Sequence, residues 1–525
     1  MPEFTQEEVS KHNSPESLWI IIDNKVYDLT EFQKIHPGGK AILKRWAGKD
    51  ASKFFHKYHD KQKVMTQYGN ERCIGDLKLE ANSASALVKN DAVASARFEE
   101  YGDMLPYSDP EWYQGYPTPY FNETHAALRK EIRDWVEQNL SPYVDEWDEK
   151  EEMPKDLYRK FAQAGFLSAI TGHYGKDYTN LAPKSVPVDK IDQFHELIIT
   201  DELSRCGSGG VVWNLCGGFS IGLPPVLKFA RPEVKKRVVP QILAGDKRIC
   251  LCITEPDVGS DVANLTTTAE KTPDGKHYIV NGMKKWITNG VWADFFTVAV
   301  RTGGKGMGGI SMLLIEKTMP GVTVNKIHTQ GMRVSGSTLI SFEDVKVPVE
   351  NLIGGENKGF KVIMSNFNQE RLGVIMQVAR FCRVCIEESI KHAHRRETFG
   401  VKLIEHAVIR QKIATMAART EAGYHWLESL LYQFGELDEF EGALRLGGPI
   451  AACKAFFTQT LEYCAREACQ IFGGLAYTRG GRGGKVERIY REVRAYAIPG
   501  GSEEIMLDLS IRQALKVHQG LGANL

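Results

Sequence analysis

Apolar and polar positions divide the chain into segments of different character. In residues 1–80, the run Trp19-Ile-Ile-Ile-Asp-Asn-Lys-Val-Tyr-Asp28 predicts two short strands around an Asp-Asn turn. Residues 81–109 open on small polar residues and read as a linker, with little apolar periodicity until Pro119. Residues 110–248 are mainly helical, since Leu128, Ile132, Trp135 and Leu140 recur at roughly helical spacing, with an irregular loop between Thr171 and Pro187. Residues 249–350 change period. The short runs Tyr278–Val280, Phe295–Val300, Ile310–Ile315 and Val345–Val347 alternate with Gly, Asn and Asp turns, which predicts a β domain. Residues 351–525 are helical again, and Leu372, Ile375, Val378, Cys382, Ile386 and Ile390 form one apolar stripe. The order is therefore small unit, linker, helices, strands, helices, with no internal repeat.

Composition narrows the class. A chain of 525 residues exceeds one core. Its 66 basic and 66 acidic residues cancel, which gives no support for nucleic acid as a partner. No apolar run is expected to reach bilayer-spanning length. The ten cysteines are scattered, which predicts free thiols, and Cys382-Arg-Val-Cys385 is expected to pack in a helical core. The acidic, polar N-terminus lacks the features of a secretory or mitochondrial signal. The terminal Ala-Asn-Leu resembles the Ser-Lys-Leu class of peroxisomal address, so the expected location is peroxisomal or cytoplasmic.

His36-Pro37-Gly38-Gly39 is the first chemical signal. A loop histidine that ligates iron needs a sharp turn and a backbone that can approach a flat macrocycle, which Pro and Gly supply. His56 and His59 are candidates for a second ligand. Together with Tyr27-Asp28-Leu29-Thr30 and Ala47-Gly48-Lys49-Asp50-Ala51, this segment resembles cytochrome b5. The resemblance implies a small α+β domain with a bis-histidine b-type haem iron that shuttles one electron. It favours His59 as partner of His36, with His56 as the fallback.

The second signal is Cys252-Ile-Thr-Glu-Pro-Asp-Val-Gly-Ser-Asp261, followed by Trp286-Ile-Thr-Asn-Gly290. Hydroxyl and backbone donors lie there beside a flat indole suited to a ring system. Gln369-Glu-Arg-Leu372, Arg396-Glu-Thr-Phe-Gly400, Gln470-Ile-Phe-Gly-Gly474 and Gly500-Gly-Ser-Glu-Glu-Ile505 follow in order. Across roughly residues 110–520 the chain resembles the acyl-CoA dehydrogenase family. The resemblance implies an α-helical, β-barrel-like, α-helical fold, non-covalent FAD and oxidation of an acyl-CoA thioester to its 2,3-enoyl form, as in fatty acid β-oxidation. It implies FAD contacts at Thr254, Ser260, Trp286, Thr288, Arg396, Phe399, Gln470, Gly474, Ser502 and Glu504, some across a subunit boundary. A homo-oligomer, dimer or tetramer, is therefore expected.

The reaction also needs a carboxylate to take the α-proton. Much of the family supplies it just before the final Gly-Thr-Ser turn, where this chain has Gly500. A minority branch, which includes isovaleryl- and long-chain enzymes, places it on the first helix of the C-terminal domain. The matching residue here is Glu370, followed by Arg371. Val258 and Ala407 depart from the family pattern, and Ala407 puts one FAD contact in doubt. Gly304-Lys-Gly-Met-Gly-Gly309 has dinucleotide-like spacing but opens no helix, so a mobile hairpin loop is expected. His392 and His394 are expected on a solvated basic face, and no protein-only metal cluster is expected.

Three functions compete. The first is a dehydrogenase that passes electrons to its own haem, where tethering raises effective concentration, and then to an unknown external acceptor. The second is an acyl-CoA oxidase that uses oxygen. The third is a catalytically silent flavin-fold binding module, against which the intact Glu370, Trp286, Thr288 and Arg396 argue.

Overall fold

In the computed structural model, residues 2–37, 39–52, 55, 64, 68, 71–78, 97–172 and 175–520 are described. The chain divides into two units, 1–92 and 93–525.

The first unit is built on a sheet with strand order Glu3–Phe4, Cys73–Leu77, Lys25–Asp28, Ser17–Ile22, Asn13–Ser14. Asp23 and Asn24 both take positive φ (51° and 60°), as a two-residue hairpin turn that matches strand twist requires. The resulting register pairs Ile20 with Tyr27 and Ile22 with Lys25. One face of this sheet buries Leu18, Ile20, Ile22 and Tyr27 with Leu29, Phe32 and Leu43.

The second unit begins with helices, among them Glu123–Asn139 and Gln193–Ser204. Part of the expected linker is built into this unit. Asp109 is buried and accepts from Arg133, Arg205 and Arg380 at 3.0–3.2 Å. Gly209–Phe229 corrects the expectation that no segment reaches bilayer length. It has the length and apolar composition of a span, but 72% of its apolar window is buried inside the protein, as in a core helix.

An eight-stranded sheet follows, in the order Val322–Lys326, Thr338–Pro348, His277–Ile287, Thr268–Lys271, Phe295–Arg301, Ile310–Glu316, Leu352–Ile353. Ile249–Cys252 adds in parallel to Phe295–Arg301. The glycine-rich 304–309 segment joins two antiparallel strands. The C-terminal part packs the long helices Phe367–Arg395, Ala407–Glu436, Glu439–Phe472 and Glu503–Gly520. The six stripe residues of the first of these are all buried. All ten cysteines are free, and Cys382 and Cys385 are in the core.

Candidate functional site

The β domain shapes one wall of the site. Along the pairing of Thr338–Pro348 with His277–Ile287, Thr338 faces Ile287 and Leu339 faces Lys285, so Trp286 is the extra residue of a β-bulge. It takes φ 58° and the residue is 52% exposed. A bulge re-aims a side chain, and here it presents a flat indole face on the protein surface. Lys285 donates its N–H to the carbonyl of Thr254 at 2.9 Å, which fastens the Cys252–Asp261 segment beside Trp286. Within that segment Glu255 is anchored by buried Lys284 at 2.8 Å and by the N–H groups of Thr266 and Thr267. Burial pushes the Glu255 carboxyl up, but Lys284 and these hydrogen bonds outweigh it and hold the group at about 2. Val258 closes the tight turn that begins at Glu255. Ser260 is exposed and Thr288 half-buried.

A π-helical segment, Trp213–Gly217, joins this wall to the next. Asn289 lies one residue past Thr288. Its amide accepts from Gly218 N–H at 2.8 Å and donates to the Trp213 carbonyl at 3.0 Å, so one side chain bridges two backbone groups five residues apart. Such insertions produce π-bulges, which recur at functional sites. A Cβ added at Gly217 would lie 3.2 Å from Thr288 Cγ2, so the helix approaches the Thr288 side chain closely because this position is glycine.

A second wall is the first part of Phe367–Arg395. Glu370, Gly373 and Gln377 share one face, two turns in length. Gln377 Oε1 accepts from Trp213 Nε1 and Tyr496 OH, both at 2.9 Å, which ties this face to the π-segment. A Cβ at Gly373 would meet nothing within 4 Å, so space opens there. Glu370 is half-buried, and Asn366 donates to its Oε1 at 3.0 Å. Burial pushes its carboxyl up to about 7, against the opposing effects of Asn366 and Arg371. Arg371 is buried and donates from Nε to the Gly500 carbonyl at 3.1 Å. Gly500 and Gly501 take φ 68° and 100°, which glycine adopts without strain. Lys454, fully buried, donates to the carbonyls of Ala497 at 3.0 Å and Gly501 at 2.7 Å. Two cations thus clamp the turn that leads to Ser502 and Glu504 at the start of the last helix.

Arg396, Phe399, Gln470 and Gly474 lie elsewhere on the surface. Phe399 is 98% exposed on the hairpin of Glu397–Thr398 and Val401–Lys402. His392 stacks on Phe472 at 4.3 Å between ring centroids, which brings the ends of their two helices together. Burial, followed by Arg396, Arg482 and Arg395, lowers His392, so this end carries a cluster of positive charge suited to phosphate. His392 corrects the expectation of a solvated face, because it packs on Phe472; His394 is exposed. Ala407 is exposed at the start of its helix.

In the first unit, His36 Nδ1 meets the Gly39 carbonyl at 3.3 Å. A carbonyl only accepts, so Nδ1 is the donor here, the contact that a histidine ligating a metal through Nε2 commonly makes. Phe32 packs edge-on to His36 at 5.7 Å. These features fit a haem ligand; His59 and His56 lie outside the described residues.

Two features had no counterpart in the sequence reading. His125, Asp192 and His195 cluster closely enough to hold a metal. Their ring nitrogens instead serve two helix caps. Asn122 N–H donates to His125 Nδ1 at 2.9 Å and Asp192 N–H to His195 Nδ1 at 3.1 Å, while the Nε2 atoms meet Asp192 and Thr124. The other feature is Glu196, to which Gln369 donates at 2.6 Å.

Comparison with known proteins gives the same order of domains. Residues 5–78 match the cytochrome b5-like haem/steroid-binding domain. Residues 122–246, 250–345 and 357–515 match the acyl-CoA dehydrogenase N-terminal, middle and C-terminal domains. An acyl-CoA dehydrogenase of Emericella nidulans is 41% identical over 79% of this chain and 96% of its own length. A probable acyl-CoA dehydrogenase structure from Mycobacterium abscessus is 33% identical, with TM-score 0.68 over 75% of this chain and 99% of that one. The FAD complex of an acyl-CoA dehydrogenase from Bacillus anthracis is 26% identical, with TM-score 0.67 over 76% of this chain and 69% of that one. The β-bulge indole and the helix face that carries Glu370 therefore sit in a known frame: the chain belongs to the acyl-CoA dehydrogenase family, as an FAD-dependent oxidoreductase that carries a haem-binding cytochrome b5-like domain.

Proposed function

We propose that the enzyme oxidises an acyl-CoA thioester to the 2,3-enoyl-CoA with Glu370 as the α-proton base, and that the electrons pass on to the haem of the same chain. The observation that carries this reading is the state of Glu370. Its carboxyl lies on an open helix face, beside Gly373, and burial raises it to about 7, the range in which a carboxylate is an effective base near neutral pH. Asn366 orients it, and Arg371 supports its ionised form after each turnover.

FAD supplies the hydride acceptor for the hydrogen that leaves the β-carbon. Trp286 and Thr288, with Thr254 and Ser260, would hold its ring, and Arg396, Phe399, Gln470, Gly474, Ser502 and Glu504 the rest. A base on the helix leaves only glycine at position 500, which is compatible with branched and long acyl chains. In the small unit His36, with His59, would hold a b-type haem, a one-electron carrier to an external acceptor. Phe399 and Tyr477, 98% and 95% exposed, support an oligomer in which a partner covers the FAD surface. Glu370→Gln with FAD retained tests the reading. Flavin reduction by acyl-CoA should slow by roughly 10²–10⁴-fold, and unchanged reduction would overturn it.

A further inference from the structure

Glu196 sits on the helix Gln193–Ser204, whose residues from Leu197 to Ser204 are all buried. Glu196 itself keeps accessible surface. Its carboxyl is nonetheless so enclosed that burial raises it to about 7. Gln369 donates to its Oε2 at 2.6 Å, and Gln369 directly precedes Glu370. The Glu196 charge also acts on Cys216, whose thiol is pushed up first by burial and then by that charge. Cys216 belongs to the π-segment that touches Thr288 through Gly217. Gln369 also lies one turn before Gly373 on the same helix face, so Glu196 borders the space that opens at Gly373, next to the element that carries the base.

Among the described residues no Lys, Arg or His pairs with this carboxyl; its hydrogen-bond partner is the neutral amide of Gln369. A hydrocarbon chain in this space would strip water from Glu196 and return no hydrogen bond, which is unfavourable. A hydroxyl or amide would replace the lost water. The carboxyl can donate when protonated and accept in either state, so it suits both groups.

We infer that Glu196, positioned by Gln369, is a specificity-determining group in the acyl cavity, and that the preferred thioester carries a hydroxyl or amide on its acyl chain beyond the reacting carbons. This rests on the acyl-CoA reading given above.

The test is anaerobic reduction of the FAD-loaded full-length protein by paired acyl-CoAs of equal length, with the hydroxyl placed at successive carbons beyond the β-carbon or absent. The wild type should favour one hydroxylated member over its plain counterpart by at least about tenfold in kcat/KM. Glu196→Met should erase or reverse that preference, while Glu196→Gln, which keeps the hydrogen bonding, should retain it. FAD content and the flavin spectrum verify that each variant is folded. Equal use of plain and hydroxylated chains by the wild type would overturn the inference and leave the acyl-CoA reading intact. So would a preference that survives Glu196→Met. Loss of reduction by every thioester in FAD-loaded Glu196→Gln would also overturn it, because Glu196 would then belong to the proton chemistry. No reduction of the wild type by any thioester would remove the acyl-CoA reading itself, and the inference with it.

Discussion

Arg371 Nε donates to the carbonyl of Gly500 at 3.1 Å. The link joins the helix residue beside Glu370, the proposed base, to the turn at Gly500, which contributes a backbone acceptor.

Arg371 also favours the ionised form of Glu370. Arg371→Ala should therefore move the acid limb of flavin reduction to higher pH, since the base then gives up its proton less readily. Arg371→Lys should keep most of the charge effect and lose the fixed fork geometry. Stopped-flow rates across pH 5–9 check this, and an unmoved limb in Arg371→Ala would separate the two groups.

Glu370→Gln should lower the rate of flavin reduction by roughly 10²–10⁴-fold, the usual contribution of a general base. In the wild type the rate should rise with pH through about 7 as the carboxyl ionises. Stability should run the other way. The folded group holds its proton between its ordinary 4.5 and about 7, whereas the unfolded one does not. Wild-type stability should therefore fall across that window relative to Glu370→Gln. Denaturant melts at pH 4.5 and 8 measure the difference.

The broad frame was legible because hydrophobic periodicity carries it. The stripe from Leu372 to Ile390 and the Asp23-Asn24 turn depend on local rules of helix face and hairpin twist. Residues 97–109 were not legible. They dock partly through Asp109 and the guanidinium groups of Arg133, Arg205 and Arg380, and buried charge leaves no apolar period. Glu196 was invisible for another reason: it meets Gln369 across 173 residues, and an isolated Glu in a helix looks like any other. Lys454 did leave a signal, as a lysine between Cys453 and Ala455 in an apolar helix stretch.

Lys454→Met should loosen the turn from Ala497 to Gly501 and weaken FAD retention. Burial lowers the amine from 10.5 to about 8, with Glu503 opposing. Between those values the unfolded chain holds a proton that the folded one does not, so wild-type stability should rise with pH across that window relative to Lys454→Met. Thermal melts at pH 7.5 and 10 compare the two proteins.

His36→Ala should abolish or weaken haem binding, read from the haem absorbance band, while acyl-CoA still reduces the flavin. Full haem occupancy in the variant would remove His36 as a ligand.

The most direct measurement is anaerobic stopped-flow mixing of the full-length holoprotein with a panel of acyl-CoAs, with flavin and haem absorbance followed together. Flavin bleaching by at least one thioester is expected, followed by haem reduction at a rate independent of protein concentration. A flavin left oxidised by every thioester, or a haem left oxidised after the flavin bleaches, would contradict electron flow from thioester to haem within one chain.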